Sequence, residues 1–507
     1  MNIKNIKTYI LSGILALSMS SCLDKYPEDS IRMDQAINTV DDMDKLVYGI
    51  YDSFKSSALY SGNLTILPDL QADFVYCVKG YSNAYGDIYR WKDIKATNTD
   101  IESVYAGLYG VINTANFLLD NVDKVKANTN NDKELDKLEQ CEGEAYFARA
   151  LAYSELIKCF CKAYDSDEQA AKELGVVLTE HYYGNEPQKR ATLKESYDFV
   201  LRDLDKAAEY LKVDEDFSGT LYDEIFFNEY TCHALRARVS LYMHRWDDAI
   251  KYASKVIDSK YYVLASCTQK IGNTSYYQYQ WTAGKSTEGI WKVGFTVNSY
   301  GGALGTIFDN YNYVSYRPDY VPETWVINSF DANDLRAAAI FTTRTTGYEH
   351  GLQWPLLSKY FGDAEFLNNN ILHVHQPMVF RLSEQYLIRA EAYAMKGDYS
   401  KAGKDISTLR TARYSSYGGN TSMSDESSAM KIIEAERVKE LYMEGFRLND
   451  LKRWHKGFER KAADQPAANF VQSSLKVEKD DPLFVWPIPQ HELEAPGSEI
   501  QPNESNK

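Results

Sequence analysis

Two stretches of this sequence interleave aromatic rings with short polar side chains. One is Tyr81-Ser82-Asn83-Ala84-Tyr85-Gly86-Asp87, with Trp91 close behind; the other is Asn310-Tyr311-Asn312-Tyr313-Val314-Ser315-Tyr316-Arg317, with Tyr279 and Trp281 upstream in the same aromatic-rich region. A pyranose ring presents a face of C–H groups that packs on Tyr or Trp, while its hydroxyls need Asp, Asn, Gln or Arg at the ring edge. The candidate ligand contacts are therefore Tyr81, Asn83, Tyr85, Asp87, Trp91, Tyr279, Trp281, Tyr311, Tyr313, Tyr316 and Arg317. The chain holds 40 tyrosines, many of which must be packing residues, so the expectation attaches to the two regions more than to single side chains.

Other patterns that resemble reactive sites do not survive their own requirements. Gly301-Gly302-Ala303-Leu304-Gly305 has no following Lys-Ser/Thr and no strand-turn-helix context, so it is not a phosphate loop. His491-Glu492-Leu493-Glu494-Ala495 begins like a zinc-protease motif but has Ala at the second His, and Pro496 would stop the helix. His373 and His375 stand two apart beside Pro377 and read as packing or surface residues. No metal or cofactor is expected. Glu440, Glu444, Arg447, Asp450 and Arg453 recur at spacings of three and four. On one continuous helix they would form an ion-pair network, which is the expected role rather than catalysis.

The elements that must position these residues follow from the rest of the chain. Its 507 residues are 44% hydrophobic, enough for a packed core. Residues 1–21 form a signal peptide: Lys4 and Lys7, an apolar run from Ile10 to Met19, then Ser20-Ser21 before Cys22. A cysteine so placed can be acylated and become the mature N-terminus. Ordinary cleavage beside an incidental Cys22 is the alternative, since Met19 stands where Leu is usual; either way the chain is exported. No other segment approaches 18 consecutive apolar residues.

Removing residues 1–21 takes two lysines from 56 basic residues and none of the 72 acidic ones, leaving a net charge of −18. Nucleic acid is not a ligand for such a surface. Cys77, Cys141, Cys159, Cys161, Cys232 and Cys267 show no paired zinc spacing and read as buried small residues, with the state of Cys159 and Cys161 left open.

Residues 22–40 read as the lipidated Cys22 and a polar tether. From there to residue 260 the pattern is helical, most clearly over Cys141–Cys161, where Ala145, Ala148, Ala152 and Leu156 form a narrow small-residue face. Two helix-turn-helix units follow, one around Trp246 and one over Ala390–Ala402. The second resembles a tetratricopeptide repeat. Ala249 and Ala402 stand 153 positions apart, so the units are not a tandem array. Residues 261–380 between them are rich in Tyr and Trp with weak helical period, and long polar-aromatic loops are expected there. Residues 381–507 return to helix. Trp486-Pro487-Ile488-Pro489 must be extended and is expected to pin the C-terminus.

Arg437–Trp454, RVKELYMEGFRLNDLKRW, and Pro482–Glu492, PLFVWPIPQHE, together with the lipobox before Cys22, resemble the SusD/RagB outer-membrane lipoproteins over nearly the whole chain. After Leu493 that family usually continues with Asn-Pro and Gln-Asn, where this chain has Glu494-Ala495-Pro496-Gly497. The resemblance implies a single mainly α domain over 41–507, a SusD-like helical scaffold with dispersed tetratricopeptide-like pairs and ligand-binding loops on one face. It also implies a non-catalytic, surface-exposed lipoprotein, anchored to the outer membrane through Cys22, that captures a glycan and passes it to a SusC-like TonB-dependent transporter. The residues leave three other readings open: a surface glycoside hydrolase, which would need two carboxyl groups about 5–10 Å apart; a tetratricopeptide scaffold for protein partners; and a binder of peptides or glycoprotein fragments.

Overall fold

The computed structural model describes residues 36–78, 82–183, 188–213, 225–348, 353–461 and 474–506. The signal segment, Cys22 and Tyr81 lie outside the described residues. The fold is mainly helical. Its longer helices are α1 (Val40–Phe54), α2 (Asn63–Gln71), α3 (Thr99–Asn128), α4 (Asp132–Phe160), α5 (Leu193–Tyr210), α6 (Glu229–Tyr242), α7 (Trp246–Asp258), α8 (Leu382–Met395), α9 (Tyr399–Arg413), α10 (Glu426–Glu440) and α11 (Arg447–Arg453).

Local chemistry sets the starts of several of these helices. Thr39 and Asp42 form a reciprocal capping box at α1, and Thr192 and Glu195 do the same at α5. The small-residue face of α4 is buried against its neighbours, with Ala145, Ala148 and Ala152 all inaccessible. The approach is close enough that a Cβ on Gly143 would meet the Tyr210 Cβ at 2.8 Å, so only glycine fits there.

The two dispersed helix pairs, α6–α7 and α8–α9, stack on one another through α7 and α8. Arg389 on α8 donates to Ser254 Oγ on α7 at 3.0 Å. Both turns use the left-handed region, His244 at φ +56° and Gly397 at φ +77°. The long insertion thus leaves and returns to adjacent places in the scaffold. It is not built of long loops. It folds into short helices and two-stranded antiparallel ladders, of which β2 (Gly289–Lys292) pairs with β6 (Met378–Arg381), and β4 (Phe341–Thr345) with β5 (Gln353–Leu357); β3 (Tyr320–Pro322) reaches out of the insertion to β1 (Val75–Cys77). Many of its aromatics, including Tyr277, Trp281, Trp291 and Tyr320, are buried, and backbone carried into a core with them must pair its N–H and C=O groups.

The insertion is locked to the C-terminal helices by buried charge. Glu440, at the end of α10, accepts from Arg381 (3.0 Å), Arg413 (2.8 and 2.9 Å) and Arg336 (2.9 Å). Glu288 binds the same Arg381 and Arg413 at 2.6 and 2.8 Å, and Glu436 and Asp334 hold Arg336 at 2.6 Å each. Glu440, Glu444, Arg447, Asp450 and Arg453 are ion-paired as expected, but of the pairs at helical spacing among them only Asp450–Arg453 forms, at 2.9 Å. The helix stops at Glu440, the chain turns through Met443 (φ +60°) and Gly445 (φ +84°), and helix resumes at Arg447. The residues of this motif therefore pair mainly over long range: Arg447 with Asp73 at 2.8 Å, Arg453 with Glu391 at 2.8 Å, and Asp450 with Arg437 at 2.7 Å. The extended Trp486 segment is pinned as expected, its N–H donating to Cys159 O and its indole to Gln71 Oε1. All six described cysteines are free and buried.

Replacing Glu440 by Ala would leave three buried guanidinium groups short of a partner. The expected cost is about 3–5 kcal/mol, read by chemical denaturation. For Glu436, burial alone would raise the carboxyl, but the charges of Arg336, Lys439 and Arg410 outweigh it and bring it from the ordinary 4.5 down to about 2. A depressed carboxyl contributes stability in full above its ordinary value and loses it as pH falls toward the folded value. The melting temperature is therefore expected to drop between pH 4.5 and 2, and the deficit of a Glu436→Gln variant to shrink across that window.

Candidate functional site

The two aromatic segments, more than two hundred positions apart, are joined by the pairing of β1 with β3, in register Val75↔Pro322, Tyr76↔Val321 and Cys77↔Tyr320. Beyond the ladder, Val78 N donates to Asp319 O at 3.0 Å. Ser82 donates from its backbone and hydroxyl to the Asp319 carboxylate at 2.7 and 2.8 Å, and Tyr320 Oη donates to Ala84 O at 2.6 Å. The Ser82–Asp87 segment is thus laid against the strand that continues from Tyr311–Arg317.

The second segment forms an aromatic platform. Tyr311 and Tyr316 stack with centroids 4.5 Å apart and planes 21° from parallel, and the two residues face each other across an antiparallel bridge. Between them the chain reverses, with Asn312 Oδ1 accepting from Val314 N (3.1 Å) and Ser315 N (2.9 Å). Tyr313 sits at φ +68°, is 57% exposed, leans on Tyr311 at 5.8 Å and donates to Asn370 O at 3.3 Å. Val314 at the tip is 87% exposed. Arg317 is exposed at the edge, its guanidinium 3.4 Å from Gly347 O.

Residues that composition did not single out hold this platform. Phe361 packs against Tyr311 and Tyr316 at 5.9 and 6.3 Å. The Arg344 guanidinium lies 5.2 Å from the Tyr316 ring centre, a cation–π contact. His373 Nε2 is 3.0 Å from Tyr311 N, and burial holds this imidazole below its ordinary range, so the neutral ring can accept that hydrogen bond. No spacing in the sequence announces these partners, because each comes from a separate turn of the insertion. Two of them, Phe361 and His373, are brought together by the bond from His373 N to Phe361 O.

The other candidates are placed differently. Asn83 and Asp87 are exposed and both receive Arg90, at 2.7 and 3.2 Å. Tyr85 (φ +57°) is half-buried at the start of a short helix. Trp91 is wedged edge-on between Phe458 and Phe484, with its indole donating to Gln71 O at 2.6 Å, so it ties the C-terminal segment to α2. Tyr279 lies half-buried on the helix Tyr276–Thr282, which packs on residues 336–340 and 358–360. Trp281 departs from the expectation. It is 1% exposed, with Lys359 Nζ 4.0 Å from its ring centre and Arg381 at 5.3 Å. Its ring faces the buried charges and is part of the scaffold. His375 is likewise structural, bonded to Asp363 at 2.5 Å.

Two family models match the chain, one described as the SusD family over residues 342–503 and one described as starch-binding, associating with the outer membrane, over residues 22–240. Among solved structures, a SusD superfamily protein from Bacteroides thetaiotaomicron is similar at 24% identity and TM-score 0.75, covering 92% of this chain and 99% of that one. A SusD superfamily protein from Bacteroides vulgatus is similar at 22% identity and TM-score 0.74, covering 93% and 100%. A SusD-like carbohydrate binding protein from Bacteroides vulgatus is similar at 19% identity and TM-score 0.71, covering 90% and 97%. No curated protein sequence matches this chain.

Asp309, next to the platform, is buried and its Oδ2 has no hydrogen-bond partner among the described residues. Burial, only partly offset by Arg344, holds this carboxyl well above its ordinary 3.8. A raised carboxyl opposes folding increasingly as pH climbs above the unfolded value near 4, until the folded group itself ionises. Asp309→Asn is therefore expected to raise stability by about 1–3 kcal/mol at pH 8. That gain should vanish near pH 3.5 in paired thermal melts.

Proposed function

We propose, from the premise that the chain belongs to the SusD/RagB family, that it is a cell-surface lipoprotein that binds nutrient glycans without cleaving them and delivers them to a SusC-like TonB-dependent transporter of the outer membrane. The observation that carries this reading is the Tyr311–Tyr316 stack with Tyr313 standing exposed beside it. Rings so presented suit the C–H face of a sugar, and polar groups come from Arg317 at the platform's edge and from Asn83 and Asp87 on the segment tied to Asp319 and Tyr320. The family description of starch binding and the carbohydrate-binding relative support the same ligand class.

Capture rather than hydrolysis fits the carboxyl groups at hand. Glycoside cleavage needs two carboxyls flanking one bond, one as acid and one as base or nucleophile. Near the platform Asp309 is buried and Asp319 is taken up by Ser82, while Asp87 is paired with Arg90. In this reading Cys22 carries the acyl chains and the residues after it are the tether, while the single domain expected from residue 41 starts slightly earlier, since Ile37 and Val40 are buried in the core cluster that runs to Ile500. Among the described residues no helix is long and apolar enough to cross a membrane. Modest affinity is expected, since stacking and exposed hydrogen bonds leave only a few kcal/mol beyond the costs of association.

Calorimetry of the mature protein against soluble maltose-, glucan-, xylan- and mannan-type oligosaccharides, with product analysis of the same mixtures, tests the reading. The expected result is binding without products, weakened about tenfold by Tyr313→Ala (~1.4 kcal/mol) with the melting temperature unchanged. Release of shorter sugars would replace this reading with a hydrolase. Silence across the panel from a folded sample would move the ligand class to peptides.

A further inference from the structure

Beside the platform, the β1–β3 ladder and the β4–β5 hairpin border a small recess with about 10 Å³ open to a water-sized group, where β3 packs on β5. Its walls are Val78, Pro318, Val321, Tyr76, Thr346, Trp354 and Tyr348, the last with its hydroxyl already donating to Pro318 O at 2.8 Å. Tyr76 is 2% exposed and Thr346 6%, and the Trp354 ring stands edge-on to Tyr76 at 5.8 Å and 85°. Tyr76 Oη, Thr346 Oγ1 and Trp354 Nε1 are all buried without a hydrogen-bond partner among the described residues.

Three such orphans around one recess call for an occupant. A buried polar group left unpaired costs stability, and folded proteins satisfy such groups with protein, water or ligand. The recess has room for about one water-sized group. The chemistry of that group follows from the three atoms. The indole only donates, whereas both hydroxyls donate or accept, so the complement is a group that accepts once and can also donate: a hydroxyl. Among the described residues no charged side chain lines the recess. Burial, reinforced by Glu323, pushes the Tyr76 hydroxyl far above its ordinary 10, keeping it neutral. A carboxylate, phosphate or ammonium would enter without a counter-charge.

The recess and the platform adjoin through Tyr316. Tyr316 pairs with Thr346 in a parallel bridge, and its ring packs on the cluster of Tyr76, Val78, Val321 and Leu356. Tyr348 and Trp354, both half-buried, line the recess toward the surface. We propose that this recess is a specificity subsite for one neutral sugar hydroxyl, which replaces a resident water when a glycan stacks on Tyr311 and Tyr316. The inference rests on the glycan reading above and adds to it a preference for neutral sugars over their uronic acid counterparts.

The test uses the mature protein and maltoheptaose, cellohexaose, xylohexaose and mannohexaose as calorimetric probes. With whichever sugar the wild type binds most tightly, Tyr76→Phe and Thr346→Val are each expected to weaken affinity about tenfold, or ~1.4 kcal/mol. Wild-type binding that both variants leave unchanged overturns the subsite alone. Absence of wild-type binding to every probe overturns the glycan reading and takes the subsite with it. A high-resolution crystal structure of the free wild type gives a second measure that needs no variant to fold. Density for one water within hydrogen-bond reach of Tyr76, Thr346 and Trp354 is expected, and a dry recess overturns the proposal.

Discussion

The interaction on which the rest of this structure depends is the burial of Glu440 and Glu288 among Arg381, Arg413 and Arg336. Charges removed from water are tolerated only where every lone pair and every N–H finds a partner with good geometry. That requirement acts as a register. Glu288 and Arg336 belong to the insertion, Arg381 to the strand that closes it, Arg413 to α9 and Glu440 to α10. Only one docking of the insertion on the helical scaffold satisfies all five at once, and a shifted docking would strand at least one charge in the core.

The platform inherits its position from this lock through a short chain of contacts. Lys359 bonds Glu444 at 2.5 Å and Tyr442 O at 3.0 Å, and its neighbour Tyr360 donates to Met443 O at 2.7 Å. The next residue, Phe361, supports Tyr311 and Tyr316 and accepts from His373 N, which brings in the imidazole bonded to Tyr311. Burial lowers the Lys359 ammonium to about 8 even though Glu444 opposes the shift, a measure of how dry this connection is. The half-buried Tyr311–Tyr316 stack is therefore the outer end of a path of packed contacts that begins in the core. Rings held in place before a ligand arrives lose less freedom on binding, and weak stacking contacts become useful under that condition.

The polar atoms near the rings divide into two kinds. Asn83, Asp87 and Arg317 are exposed, and their hydrogen bonds to Arg90 and Gly347 are replaceable by ligand hydroxyls at small cost because water already competes for them. Tyr76, Thr346 and Trp354 present atoms that water cannot freely reach. In the proposed reading the first kind serves capture of many sugars, and the second distinguishes among them.

Much of the scaffold was legible in the sequence for local reasons. Helical period, the alanine face of α4, the Gly397 turn and the Trp486-Pro487-Ile488-Pro489 stop are properties of neighbouring residues, and neighbours suffice to specify them. The concentration of Tyr with Asn, Ser and Arg at 310–317 likewise marked the platform, because a segment that reverses on itself brings its own rings together. What only the tertiary structure decided depends on residues far apart. The charges of Glu440 to Arg453 read as one helix face, yet Met443 and Gly445 break it and send most of them to distant partners. Trp281 has the composition of a contact residue, but the buried ammonium of Lys359 claims its face. Phe361, His373 and Arg344 carry no local signal, since their roles exist only once the ladders of the insertion close. Composition can say which side chains are able to hold a sugar; whether a ring faces solvent or core is set by long-range pairing, which a pattern read along the chain does not contain.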